Sequence, residues 1–312
     1  MTAWAVDGQR STFARRGPAG WIALSRAEPE GMKRLLLLVF CGFLVIGGGA
    51  WSDETVHLVE IAPPLTAPGV VQAKGPHRAL RGETSNGLLL LSLGGTNSLP
   101  SDLDALDRVA VGMGFQVLAL DYPNSVISTA ARESTQPEAF RRFREEVVTG
   151  APVSDLVEVD RANSLEGRLV ALLRYLGPEW SEFLRDGEPV WEKIVVAGHS
   201  QGSGHAAYLG KAHPLKGVLV LAGPQDTLAD GSPAEWLSMP GLTPPDRFFA
   251  LLHKDDFFNC AQQQAAMRAL RQGGASAGEV VVLDTPVRDA HMSVLEKDRS
   301  AIWLDLLSLM VK

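Results

Sequence analysis

The stretch KIVVAGHSQGSG, residues 193–204, sets a short β-branched apolar run directly against Gly198-His199-Ser200-Gln201-Gly202. The run Ile194, Val195, Val196, Ala197 has the composition of a buried strand, and Ser203, Gly204, Ala206 and Ala207 suit a helix packed closely on a sheet. Such a junction reads as a nucleophile elbow, where a strand turns sharply into a helix and one serine is thrust out at the tip in a strained backbone conformation. Glycines two residues to either side of Ser200 give the turn room.

The five-residue pattern decides nothing alone, because Gly274-Ala275-Ser276-Ala277-Gly278 repeats it. That copy lies between a helix-like stretch, 261–271, and an apolar strand-like stretch, 279–283. The order is the reverse of an elbow, and a Gly/Ala-rich helix-to-strand connection is an ordinary linker. Ser200 is therefore the candidate nucleophile and Ser276 a linker residue.

Working outward, apolar runs of strand length alternate with amphipathic stretches. Weak strands are expected at 56–61 and 70–73, and a strong one at 88–93 that ends in Gly94-Gly95-Thr96-Asn97. Leu103, Leu106, Val109 and Ala110 mark a helix face, and 115–120 is the next strand, ending at Asp121-Tyr122-Pro123-Asn124. A helical insert at about 125–190 follows, with a charged helix at 140–148 and a second one carrying Leu165, Leu169, Leu172, Leu173 and Leu176 at helical spacing. Strands are expected again at 217–222, 248–253 and 279–283, and a closing helix at 301–310. This alternation predicts an α/β fold, a mainly parallel doubly wound sheet with helices on both faces. The polar, Pro-rich stretch 223–246, with Trp236 and Met239, reads either as a small lid-like segment or as an ordinary surface loop.

The N-terminal region has a different character. Met32-Lys33-Arg34, the apolar run 35–46 and Gly47-Gly48-Gly49-Ala50 have the basic start, short apolar core and small-residue exit of a secretory signal peptide over 32–50. Residues 1–31 then read as an upstream extension, with Met32 as the true start, and 51–312 as the mature domain. The apolar run is shorter than the roughly 20 residues a spanning helix needs, so a periplasmic or secreted protein is expected, membrane-anchored only if the leader is retained. Residues 1–50 carry six basic and three acidic side chains, a net +3, so removing them takes the chain from −7 to −10. An acidic protein is poorly suited to nucleic acid or anionic membrane. Of the two cysteines, Cys41 and Cys260, only Cys260 would survive cleavage, so no internal disulfide is expected.

A serine hydroxyl needs a base, and the base an acid behind it. In a sheet whose nucleophile follows a central strand, both come later, from loops at the C-terminal strand ends, in the order Ser, Asp or Glu, His. Of seven histidines, His57 and His77 precede the elbow, His199 lies in it, and His205, His213 and His253 belong to helix or strand; His291 alone sits in a loop after the last strand. The 248–253 strand runs into Lys254-Asp255-Asp256, where both aspartates are placed to be the acid. The turn resembles the G-x-x-D loop common at this point in hydrolases, with His253 in the glycine's place, which implies Asp256, with Asp255 the alternative and Asp226 a weaker third. For the oxyanion, the backbone N–H of Gln201 at a helix N-terminus and that of Gly95 are the candidate donors, with Thr96 its near neighbour.

Together the Gly198–Gly202 elbow, the Gly94-Gly95 loop, the Asp255-Asp256 turn and His291 resemble the α/β-hydrolase superfamily, over about 56–312. The decapeptide from Gly198 to Ala207 looks like a branch of secreted bacterial hydrolases. The resemblance implies hydrolysis of a small-molecule or polymeric acyl ester, without metal or organic cofactor. A carboxylesterase is the reading, with lipase, thioesterase, peptidase and a non-catalytic binding protein of the same fold as alternatives. Tyr122, Trp236 and Phe257 are the expected pocket walls. The oligomeric state is not legible.

Overall fold

The computed structural model describes residues 56–273 and 279–312. The leader at 32–50, the extension at 1–31 and the Ser276 copy of the motif lie outside the described residues. The chain runs β1 (His57–Ile61), β2 (His77–Arg81), β3 (Leu89–Leu93), α1 (Asp104–Gly112), β4 (Gln116–Ala119), α2 (Ala139–Thr149), α3 (Leu165–Leu176), β5 (Ile194–His199), α4 (Gln201–Ala212), β6 (Gly217–Leu221), β7 (Phe248–His253), α5 (Cys260–Leu270), β8 (Val280–Leu283) and α6 (Ser300–Val311). Short 3-10 turns fill the connections, together with a two-residue hairpin, Leu184–Arg185 against Glu188–Pro189.

These eight strands form one sheet in the order β1-β2-β4-β3-β5-β6-β7-β8. The β1–β2 and β2–β4 pairs are antiparallel, and every other neighbouring pair is parallel. Strand order reverses at β3, which has β4 on one side and β5 on the other, so the loops after β3 and β5 leave the same edge at a topological switch point. The glycine pair and Ser200 sit on those two loops.

Side-chain alternation along the strands divides the core into two layers. Leu89, Leu91, Leu93, Val196, Val218 and Val220 face one apolar cluster, with α2, α3, α4 and α5 over it. Leu90, Val117, Val195, Ala197, Leu219 and Leu221 face the other, covered by α1 and α6 through Leu106, Val111, Trp303 and Leu307. Leu165, Leu169, Leu172 and Leu173 of α3 are at most 2% exposed. At about 1.5–3 kcal/mol for each fully buried leucine, this stripe fastens the crossover that carries the chain from β4 past β3 to β5, the long connection that parallel strands require.

One strand expectation fails. Residues 70–73 are not strand; the ladder position between β1 and β4 is taken by β2, whose sequence HRALR shows no apolar run. The reason is local hydrogen bonding. The N–H groups of Ala73, Lys74 and Gly75 donate to the Asp121 carboxylate at 2.6–3.0 Å, Val71 N–H donates to Asn163 Oδ1 at 2.9 Å, and Arg168 donates to Val71 O at 2.6 Å. Side chains have taken the groups a ladder would use.

Candidate active site

Ser200 has φ 54° and ψ −120°, a conformation that costs a non-glycine residue on the order of 1–3 kcal/mol. Surrounding bonds hold it there: Ser200 N–H donates to Leu221 O at 2.9 Å, and Ser200 O accepts Ser203 N–H at 3.0 Å and Ser203 Oγ–H at 2.5 Å. Both flanking glycines are sterically required. A Cβ at Gly198 would strike the Gly202 carbonyl, and one at Gly202 would strike the carbonyls of Leu93 and Gly94.

The elbow, the β7–α5 turn and the loop after β8 converge. Ser200 Oγ lies 2.8 Å from His291 Nε2, and His291 Nδ1 lies 2.8 Å from Asp256 Oδ2. An ionised carboxylate only accepts, so Nδ1 carries the proton and Nε2 is left to accept from the serine hydroxyl. Asp256 is seated further by Phe258 N–H on Oδ1 at 2.9 Å and by the amide of Gln263 on Oδ2 at 3.0 Å. Burial pushes its pKa up, but the bonds from His291, Gln263 and Phe258 outweigh that and hold it below the usual carboxylate value. Asp255 turns away: its side chain is exposed and paired with Lys254.

His199 completes this corner. Its Nε2–H donates to the backbone carbonyl of His291 at 3.1 Å, and the two rings lie 4.9 Å apart. Burial, with the His291 charge second, pushes its pKa down to about 4, so it stays a neutral donor. Gln263 and His199 were not legible as site residues; nothing in their local sequence pattern marks them.

On the oxyanion side, Gly95 abuts the nucleophile, since a Cβ built on it would lie 3.0 Å from Ser200 Cβ. Gln201 is the first residue of α4, whose leading N–H groups have no partner inside the helix and add a favourable dipole. Thr96 Oγ donates to Gln201 Oε1 at 2.7 Å, and Ser128 N–H donates to the same oxygen at 3.1 Å. Thr96 thus ties the two candidate donors' loops together.

Two expected pocket walls are elsewhere. Tyr122 is 1% exposed, edge-on to His205, with its hydroxyl on Gly94 O. Trp236 is 3% exposed, packed on Tyr208 with its indole N–H donating to Asp226. Burying these rings in the layer beside α4 removes more apolar surface from water than a rim position would. Phe257 is where a wall could be, 72% exposed with its ring 4.9 Å from that of His291. The third candidate acid, Asp226, takes Arg144 on both oxygens at 2.6 and 3.1 Å in a fully buried pair. Arg144 also donates to Gln201 O at 2.8 Å, so the pair links α2, the 223–246 segment and the start of α4. That segment is fastened again by Lys211 Nζ on Met239 O and by Leu242 and Thr243 N–H on α4 carbonyls.

Strand order, the crossing point at β3, and a strained serine between β5 and α4 define the α/β-hydrolase fold. No protein-family model matches the sequence, and no curated protein matches it. Among solved structures, the chain is similar to esterase B from Lactobacillus rhamnosis inhibited by a tributyrin phosphonate (12% identity, 83% of this chain and 87% of that one, TM-score 0.47). It is also similar to a cold-adapted esterase from an Arctic intertidal metagenomic library (16%, 84% and 96%, 0.48) and to TT1662 from Thermus thermophilus (18%, 83% and 99%, 0.45). At such identities and scores the assignment of the fold rests on the chain's own strand order and elbow.

Proposed function

We propose that the chain is a serine hydrolase acting on acyl esters, an exported carboxylesterase that works through an acyl-enzyme. The observation that supports this is the hydrogen-bonded series from Ser200 Oγ through His291 to Asp256 at the switch point of the sheet. In the first half-reaction His291 Nε2 takes the Ser200 proton as the oxygen attacks the acyl carbonyl, then returns it to the leaving alcohol. Asp256 holds the tautomer and stabilises the imidazolium. The N–H groups of Gly95 and Gln201 meet the oxyanion, a contribution of about 3–4 kcal/mol per donor in such sites. Water, activated by the same histidine, releases the acid. Every proton in the cycle is moved by groups of this chain and by water, and Phe257 borders the acyl or alcohol side.

A fluorophosphonate probe and a panel of p-nitrophenyl esters of increasing acyl length test the reading, on wild type beside Ser200→Ala. Labelling and turnover in wild type alone are expected, with short chains preferred; equal labelling of the variant overturns it. Fastest turnover on long chains would indicate a lipase, and cleavage of matched amides a peptidase. Among the described residues no helix is long and apolar enough to cross a membrane. Export is tested separately by the mature N-terminus of the protein recovered outside the cytoplasm, expected just after Ala50.

A further inference from the structure

The loop after β3 is gripped by its carbonyl oxygens. The Tyr122 hydroxyl donates to Gly94 O at 2.5 Å, and the Asn124 amide donates to Gly95 O at 2.9 Å and Ser98 O at 3.0 Å. Ser98 Oγ reaches Gly95 O as well, at 2.8 Å, and Asn124 O accepts Asn97 N–H at 3.0 Å. In a trans peptide the N–H of one residue lies antiparallel to the C=O of the residue before it, and both peptides here are trans. Whatever grips Gly94 O therefore sets the direction of Gly95 N–H, and whatever grips Gly95 O sets that of Thr96 N–H. Two consecutive glycines are the freest backbone a chain can have, so without these grips the planes would turn readily.

We propose that Tyr122, seconded by Asn124, is the positioning residue of the oxyanion hole: by holding the Gly94 carbonyl it aims the Gly95 N–H at the developing negative charge. The inference rests on the serine-hydrolase reading. Tyr122 itself is 1% exposed and does not touch substrate. Its phenol is a permanent donor, because burial pushes its pKa well above the ordinary tyrosine value. Its ring stands edge-on to His205 at 5.5 Å, on α4, the helix whose first N–H is the other oxyanion donor. One side chain thereby sets the two sides of the hole relative to each other, and the bond from Thr96 to Gln201 closes the same circuit from the front.

The test is Tyr122→Phe, which keeps the ring and removes the grip. Its control is Ser92→Ala, which removes a comparably buried bond on the same strand, from Ser92 Oγ to Asp107 at 2.5 Å. Three quantities are measured: kcat and KM on a p-nitrophenyl ester, inhibition by an alkylboronic acid whose adduct places an oxygen in the hole, and the melting temperature. Losing one oxyanion donor outright costs about 10²–10³ in kcat. Misaiming it is expected to cost about tenfold or more, with KM within about twofold and boronate affinity falling in step with kcat. Ser92→Ala should lower the melting temperature and leave kcat alone. Should Tyr122→Phe fail to fold, Tyr122→Met, which likewise removes the hydroxyl from Gly94 O, carries the same expectation. A lower melting temperature in Tyr122→Phe with kcat and boronate affinity unchanged overturns the proposal by itself. Absence of fluorophosphonate labelling in wild type overturns the hydrolase reading and this inference with it.

Discussion

His199 Nε2–H donates to the carbonyl oxygen of His291 at 3.1 Å, so the residue before the candidate nucleophile carries the loop that holds the candidate base. His199→Phe keeps the ring volume but leaves that carbonyl unpaired, at a cost of about 1–3 kcal/mol. The loop keeps its own bonds, Met292 N–H to Asp289 Oδ1 and Ser293 N–H to Asp289 O. The variant should therefore fold, melt lower and lose about tenfold in kcat as the imidazole loosens. Steady-state kinetics beside a thermal melt check this, and wild-type kcat would show that the loop is positioned without His199.

The two adjacent aspartates should separate cleanly. Asp256→Asn removes the charge behind His291 and favours the wrong tautomer, and in comparable sites costs about 10⁴ in kcat. Asp255→Asn touches only an exposed side chain paired with Lys254 and should leave kcat within about twofold. Turnover of the two variants on one ester decides it, and loss confined to Asp255→Asn would reverse the assignment.

Arg144 and Asp226 form a fully buried pair. Removing one charge strands the other, so Arg144→Met or Asp226→Leu should each destabilise by about 3–5 kcal/mol, while the double change recovers much of the loss. Urea denaturation of the four proteins gives the coupling; simple additivity of the single changes would show that the two charges do not depend on each other.

Stability should depend on pH in two opposed windows. Burial pushes the His77 pKa down to about 3 and that of His199 to about 4, and lowers that of His205 well below the usual value. The unfolded chain binds those protons first, so stability present above about pH 6.5 is lost as pH falls below it. Asp107 runs the other way: burial raises its pKa to about 7 against the Ser92 hydrogen bond, so stability present below its unfolded value near 4 is lost as pH rises toward 7. Asp107→Asn should therefore be more stable than wild type at pH 8, by up to a few kcal/mol, and lose that advantage near pH 4. Denaturant melts at both pH values measure it, and a pH-independent difference would show that Asp107 does not titrate with folding.

Much of this was legible because it is local or ordered along the chain. Ser200 was marked by the strand before it and the small residues after it, and His291 by lying in a loop beyond the last strand. β2 was missed because HRALR pairs on both sides and buries polar residues, His77 and Arg78 among them, that no periodicity announces. Tyr122 and Trp236 were placed at the wrong surface because an aromatic residue just past a strand end, like Tyr122, or within a polar connection, like Trp236, looks the same whether it faces the rim or the interior. Arg144 and Asp226 are 82 residues apart, and no short-range pattern joins them.

The sequence by itself determined the alternation of elements, the elbow and the downstream order of the candidate acid and base, because strand runs, small-residue turns and chain order follow from composition and spacing alone. Only the tertiary structure decided which aspartate turns inward, which histidine supports another, and which side chains grip the Gly94-Gly95 loop. Those outcomes depend on the direction of individual side chains and peptide planes, which is set when the ends of β3, β4, β5, β7 and β8 are brought to one edge of the sheet. A donor on one strand end can then meet a carbonyl on the next, a relation between residues about 30 to 90 positions apart.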